Sequence, residues 1–434
     1  MWALLLMPTW KIFVPQLEIE LNTVYTRAVN KPLLSTKIIS QGENQRFYWL
    51  TAFDEASPYL IAGENRSYFG EGKAAFSNIF RYQRNYDQGS NIGFLTTNRV
   101  FRDGGYGHTI GVDGLLRFKK SETASFEYNR SIILEPKADW IEENDRIGTL
   151  STKLDGEKLN GDALSISLNR NTKNWNSEVE YKHYSPHYQT PLGFVTQNSI
   201  KTLSASQDYQ HFFDKEDYFK QLNIGVGSEL IYNYNSLRKF LNFDAYTFVQ
   251  MKHNIRSEIS FSHVVNEEYE GFIAEGMNTF ELFLGYNPTE AFRLGMFTSI
   301  GESIRYDEEN PAVGNNFFIG TFNSFQITPK VRLSPTLRYS QLKNKIDNTL
   351  YFSGFIARSE FNFQFNNAFS FRLVGEFNDF DKKFFFQPLL KWNPNPFTIF
   401  YIGGTNGYSQ INSNNRYGVE NSQLYFKFQY QFDL

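Results

Sequence analysis

Apolar and polar residues alternate with a period of two along most of the chain, the period at which side chains leave opposite faces of a β-strand. In Asn174–Tyr184, Trp175, Val179 and Tyr181 share one face, while Asn176, Glu178, Glu180 and Lys182 occupy the other. Leu164, Ile166 and Leu168 alternate with Ser165, Ser167 and Asn169, and Phe361, Phe363 and Phe365 alternate with polar neighbours in Glu360–Asn366. At Val331–Ser340 the apolar set is Val331, Leu333, Leu337 and Tyr339, facing away from Arg332, Ser334, Thr336 and Arg338. A helix, at 3.6 residues per turn, would scatter each set around its circumference.

The connections between these segments separate a membrane barrel from a soluble sandwich. Short ones fall at Asn393–Pro396, Asn366–Asn367, Thr328–Lys330 and Asn287–Glu290, and longer polar ones at Thr405–Glu420, Asp379–Lys382, Gln341–Asn348 and Ser303–Asn315. Tight turns on one rim and long loops on the other are the asymmetry of an outer-membrane barrel. The segments run mostly to about ten to fifteen residues, enough to cross the hydrocarbon layer at a tilt, which takes roughly 9–11. The pattern predicts an all-β fold, a transmembrane antiparallel β-barrel of about 20 strands (18–22). Residues 31–434 form the barrel and residues 1–30 an N-terminal segment whose role the pattern leaves open. Barrels of about 16–18 strands already enclose an aqueous channel, so a water-filled or loop-plugged lumen is expected.

The polar rows supply candidate lumen residues: Glu178, Glu180, Lys182, Arg332, Arg338, Lys427 and Gln429. Their mixed sign predicts weak ion selectivity. In Tyr425–Leu434 the row Phe426, Phe428, Tyr430, Phe432 and Leu434 faces away from Lys427, Gln429, Gln431 and Asp433. An alternating aromatic strand at the C-terminus is what barrel-insertion machinery is expected to read, so Phe428, Tyr430, Phe432 and Leu434 form the expected insertion signal.

Composition sharpens this picture. Phe and Tyr number 44 and 26, and aromatic residues make up 18% of the chain, which favours strands and an interfacial girdle. With no Cys, neither disulfides, thiolate zinc sites nor thiol nucleophiles are available. The 43 basic and 46 acidic residues nearly cancel, so there is no general field to attract nucleic acid. No stretch reaches the ~18 apolar residues of a transmembrane helix. Met1–Val14 holds an apolar run at Trp2–Met7 but no basic residue before it and no small-residue cleavage site. An outer-membrane destination therefore predicts either a start further upstream or a truncated reading frame.

Five strings, Lys31–Ser40 (KPLLSTKIIS), Ser90–Arg99 (SNIGFLTTNR), Gly111–Phe118 (GVDGLLRF), Ser185–Val195 (SPHYQTPLGFV) and Asn395–Gly404 (NPFTIFYIGG), follow one another along the barrel region. In that order they resemble the C-terminal barrel module of a bacterial outer-membrane family in which the module follows a family 9 carbohydrate-binding-module-like domain. The resemblance implies the barrel fold and an outer-membrane location, and it implies no catalytic residues. The first thirty residues are too few for the soluble domain.

Candidate chemistry is sparse. His183 and His187 stand four apart, but Pro186 between them argues against the helix that would align them on a metal. Ser185 lies beside both without a nucleophile elbow, and Pro186 and Pro191 suit a shaped loop. Acidic clusters at Glu142–Asp145, Glu267–Glu270 and Asp307–Glu309 match no calcium-loop pattern and suit solvated outer loops. Loop aromatics Tyr408 and Tyr417 are the places where a sugar could stack. The sequence thus predicts no enzyme, no cofactor and no metal. It predicts a porin-like passive channel or transport-type barrel of a Gram-negative-type outer membrane, with a non-conducting scaffold for a protein partner or surface glycan as the alternative. The expected partners are outer-membrane lipid, the barrel-insertion machinery and a protein partner in the outer membrane.

Overall fold

The computed structural model describes residues 21–25, 28–30, 32–86, 89–142, 146–147, 150–307, 309–412 and 416–430. The expected terminal residues Phe432 and Leu434 lie outside them. The chain divides into two compact units: Met1–Tyr209 with Val226–Phe243 and Val264–Glu275, and Gln210–Gly225 with Asp244–His263 and Gly276–Leu434.

Up to residue 212 the strands are β1 (Pro32–Gln41), β2 (Gln45–Asp54), β3 (Pro58–Ala62), β4 (Ser67–Glu71), β5 (Ala75–Asn85), β6 (Asn91–Phe101), β7 (Tyr106–Lys119) and β8 (Glu122–Leu134). The short β9 (Lys137–Ala138), β10 (Arg146–Ile147), β11 (Leu150–Ser151) and β12 (Leu154–Asp155) follow, then β13 (Lys158–Asn171), β14 (Trp175–Tyr184) and β15 (Ile200–Phe212). Antiparallel ladders join β1 to β2, β2 to β5, and then each of β5, β6, β7, β8, β13, β14 and β15 to the next.

Alternation decides the faces. Ser77, Thr97, Arg99, Thr109, Glu127, Asn129 and Ser131 are buried, whereas Phe76, Phe94, Val100, Ile110, Val112, Tyr128 and Ile132 are 38–50% exposed. A water-soluble sheet does the reverse. Large apolar side chains facing outward with polar ones sealed inside require a hydrocarbon solvent. On one rim the connections are brief, at residues 42–44, 86–90, 120–121 and 172–174. On the other, residues 55–74 and 135–157 carry small hairpins, and 185–199 form an extended loop.

The remaining strands are β16 (Phe219–Asn233), β17 (Arg238–Met251), β18 (Ile255–Tyr269), β19 (Phe272–Thr289), β20 (Phe292–Arg305), β21 (Ala312–Phe322), β22 (Ser324–Thr328), β23 (Val331–Asn344), β24 (Leu350–Gln364), β25 (Phe369–Asn378), β26 (Lys383–Asn395), β27 (Thr398–Asn412) and β28 (Arg416–Tyr430). The protein is an all-β transmembrane antiparallel barrel whose main sheet has 22 strands, within the expected range. Two of these, β21 and β22, pair with the same neighbours on either side of Asn323 and act as one interrupted strand.

Of the longer connections expected in the second unit, Asp379–Lys382 is a turn, while Gln341–Asn348 and Ser303–Asn315 begin or end in strand. Thr405–Glu420 belongs mostly to β27 and β28, whose ladder continues through Asn406↔Ser422 to Gln410↔Tyr417. Beyond the lipid edge both faces of a strand meet water, so polar residues end the alternation without ending the strand. Tyr408 and Tyr417 accordingly sit in strands, their rings 6.4 Å from Phe386 and 4.9 Å from Phe384. Glu267 and Glu268 likewise belong to β18. Beside the short turns, ring pairs Phe292–Phe325 (4.9 Å), Phe365–Phe369 (5.0 Å) and Trp392–Phe400 (5.1 Å) build an interfacial aromatic girdle.

Candidate functional site

The inner face of the first unit is covered by the chain itself. Residues 22–25 run beside the 185–199 loop, with Tyr25 N donating to Leu192 O (2.7 Å) and Phe194 N to Asn22 O (2.9 Å). A polar relay holds this pair to β8. Asn129 Nδ2 donates to Thr23 Oγ1 (2.7 Å) and Glu127 Oε1 (2.5 Å), and Leu21 N donates to Glu127 Oε2 (3.1 Å). Tyr188, fully buried, brings its hydroxyl to 3.4 Å from Thr23 Oγ1. Burial lifts its phenol far above the usual range, so it acts as a neutral hydrogen-bonding group. The loop can lie this close because β13 offers Gly161, where a Cβ would stand 2.2 Å from Tyr188 N.

Arg99 of β6 is the centre of the layer. Its side chain is completely buried and binds four groups from separate segments: Ser77 Oγ at 3.1 Å, Ala28 O at 2.5 Å, Pro191 O at 2.8 Å and Pro58 O at 3.2 Å. A guanidinium suits this because its donors point along fixed diverging directions. Gln189 adds a second clasp, accepting from Ala62 N and donating to Ala62 O, both at 2.8 Å.

Deeper on the same face, Arg81 of β5 reaches across β6 to Asp113 of β7. Nη2 meets Oδ1 at 2.7 Å and Nη1 engages Oδ2. The strand between them carries Gly93 at the crossing point, where a Cβ would fall 2.6 Å from both carboxylate oxygens.

At the looped rim, Glu135, Asp155 and Glu157 bring carboxylate oxygens within 4.8 Å of one another. Register does this. The β8–β13 ladder ends at Leu134↔Lys158, Glu135 N extends it to Glu157 O (3.0 Å), and Asp155 pairs with Lys137 in the adjoining β12–β9 ladder. Burial, then the charges of Glu157 and Asp155, push the Glu135 carboxyl up to about 8. Glu135 therefore keeps a proton when folded that it releases when unfolded, between the ordinary carboxylate range and about pH 8. Its contribution to stability falls as pH rises through that window. Glu135→Gln should remove the dependence, leaving the variant more heat-stable than the parent at pH 8 in metal-free buffer and close to it at pH 5. Parallel pH profiles of the unfolding midpoint would count against this.

The lumen candidates do not converge on one site. Glu180 and Lys182 form an ion pair (2.8 Å), Ser165 Oγ donates to Glu180 (3.3 Å), and Glu178 lies on the same face opposite Asn169. In the second unit, Arg332 Nε donates to Gln326 Oε1 (2.8 Å), and Arg338 is exposed on the same face of β23. Lys427 Nζ stands 5.9 Å from the Tyr401 ring, and Gln429 lies opposite Ile399. Phe428 and Tyr430 are half-exposed on the opposite face of β28. Sequence reasoning missed Arg81, Arg99, Asp113, Glu127 and Asn129, although each occupies a polar slot in an alternating strand. Ser185 Oγ accepts from Asp162 N (2.8 Å), and His183 Nε2 meets Asp162 Oδ2 (3.0 Å), so among the described contacts no serine–imidazole pair forms.

No family model matches the chain, and no curated protein is similar to it in sequence. Solved structures are similar in fold. One is the siderophore receptor PirA from Acinetobacter baumannii, with a TM-score of 0.53 and 7% identity over 91% of this chain and 75% of the receptor. PirA from Pseudomonas aeruginosa gives 0.53 and 8% over 91% and 76%, and the copper transporter OprC 0.52 and 11% over 92% and 79%. The likeness is one of fold, an antiparallel β-barrel. At such identities the likeness carries architecture and leaves the ligand open.

Proposed function

We propose that the chain is a transport-type barrel of a Gram-negative-type outer membrane whose lumen is closed at rest by its own residues 21–25, 28–30 and 185–199. The buried Arg99 carries this reading, because it ties two covering segments and the 58–62 hairpin to the barrel wall through backbone carbonyls. A permanently open pore has no use for such a latch. That similar structures include siderophore receptors and a copper transporter supports transport over catalysis. Membership of the carbohydrate-binding-module-linked barrel family belongs to the same proposal. Four of the five resembling strings fall in the first unit, and three of these contribute to the buried layer.

Single-channel recording in planar bilayers tests the closed state. Purified protein that shifts mobility on boiling should give no steady conductance; large, constant steps from the unmodified protein would sink the proposal. The cover over the inner face of the first unit also suits a scaffold that passes nothing. Crosslinking in intact membranes separates the two, since a scaffold returns a stoichiometric partner and remains silent when the latch is removed.

A further inference from the structure

The strongest unassigned feature is the carboxylate corner at the looped rim. Glu135 is 3% exposed, and its Oε2 is buried without a hydrogen-bond partner. Among the described residues neither Asp155 nor Glu157 has a cationic partner; Glu157 Oε2 accepts only Ser151 N, at 3.3 Å. A buried carboxylate with an unpartnered oxygen, set beside two further carboxylates, is costly unless something positive completes it.

We propose that Glu135, Asp155 and Glu157 form a calcium site that clips the 137–155 insertion to the end of the β8–β13 ladder. The ligand set is oxygen only, which selects hard cations over zinc or copper. Oxygens up to 4.8 Å apart match a calcium ion, whose bonds of about 2.3–2.6 Å place opposite ligands about 5 Å from each other. Magnesium bonds at roughly 2.0–2.1 Å and demands a regular octahedron, so the three groups would have to close in. Backbone also fixes the site in advance. Two ligands are set by the last hydrogen bond of the barrel ladder and the third by a neighbouring ladder, so little ordering remains when the ion arrives.

Terbium, a luminescent calcium substitute, provides the probe, because Tyr59 lies near Glu135 and its ring is 5.8 Å from that of Trp140. Full-length protein in detergent should show saturable terbium emission displaced by calcium at concentrations at least tenfold lower than magnesium. Asp155→Asn and Glu135→Gln should each weaken terbium binding by about tenfold or more, and calcium should raise the unfolding midpoint of the parent but not of the variants. Asp155 is exposed, so its variant keeps the test alive if the Glu135 change impairs folding. Unsaturable emission, equal displacement by magnesium, or unchanged titrations in a folded Asp155→Asn variant would each overturn the assignment.

Discussion

Replacing Arg99 with alanine should turn a silent barrel into a conducting one. The substitution strips donors from the carbonyls of Ala28, Pro191 and Pro58 and from Ser77 Oγ at once. A buried acceptor left unmatched costs about 1–3 kcal/mol, although water entering the space vacated by the guanidinium recovers part of it. A net loss of about 3 kcal/mol is a fair central value. At 1.4 kcal/mol per tenfold, the balance between docked and released layer then shifts by roughly a hundredfold. The barrel wall should survive, because the β5–β6 and β6–β7 ladders on either side of Arg99 rest on backbone pairing. The variant should therefore keep its heat-dependent mobility shift while showing frequent openings in planar bilayers. Arg99→Lys should fall between, since one ammonium on a flexible stem cannot reproduce the diverging donors of a guanidinium. A folded Arg99→Ala protein as silent as the parent would count against a lumen that opens when Arg99 lets go.

The architecture was legible because its cause is local. Lipid on one side and a polar interior on the other impose a strict period of two, and Val112, Ile132 or Leu168 announce their face without reference to any distant residue. The buried layer was not legible, because its causes are distant. Arg99 meets Ala28, Pro58 and Pro191, which lie 71, 41 and 92 residues away. Nothing in SNIGFLTTNR states which loop will fold back over it. The glycines were the nearest thing to a signal. Gly93 and Gly161 stand where alternation calls for an inward-facing side chain, and the missing Cβ marks an ion pair crossing one and a loop settling on the other. The carboxylate corner was hidden for a related reason. Glu135 and Glu157 are 22 positions apart and become neighbours only through the β8–β13 register.

The second large effect is expected at Arg81–Asp113, and it should be asymmetric. The pair is mostly desolvated, with side chains 6% and 15% exposed, so removing one partner strands a charge and should cost about 3–5 kcal/mol. The two deletions leave different remainders, however. Asp113 lies directly opposite Glu127 in the β7–β8 register, so Arg81→Met leaves two carboxylates facing each other on a sealed surface. Asp113→Asn leaves the guanidinium with the Glu127 charge still in its neighbourhood. Arg81→Met should thus be the more damaging single change. Adding Asp113→Leu to it should restore much of the loss, because an apolar pair of similar volume carries no desolvation cost. Urea unfolding of the four proteins in lipid reads this order directly. Equal losses for the two single variants would mean that Glu127 takes no part, and losses under about 1 kcal/mol would mean that water reaches the pair. The predicted order, Arg81→Met below Asp113→Asn below the double variant, follows from the register together with the sealing of the inner face by the chain's own loop.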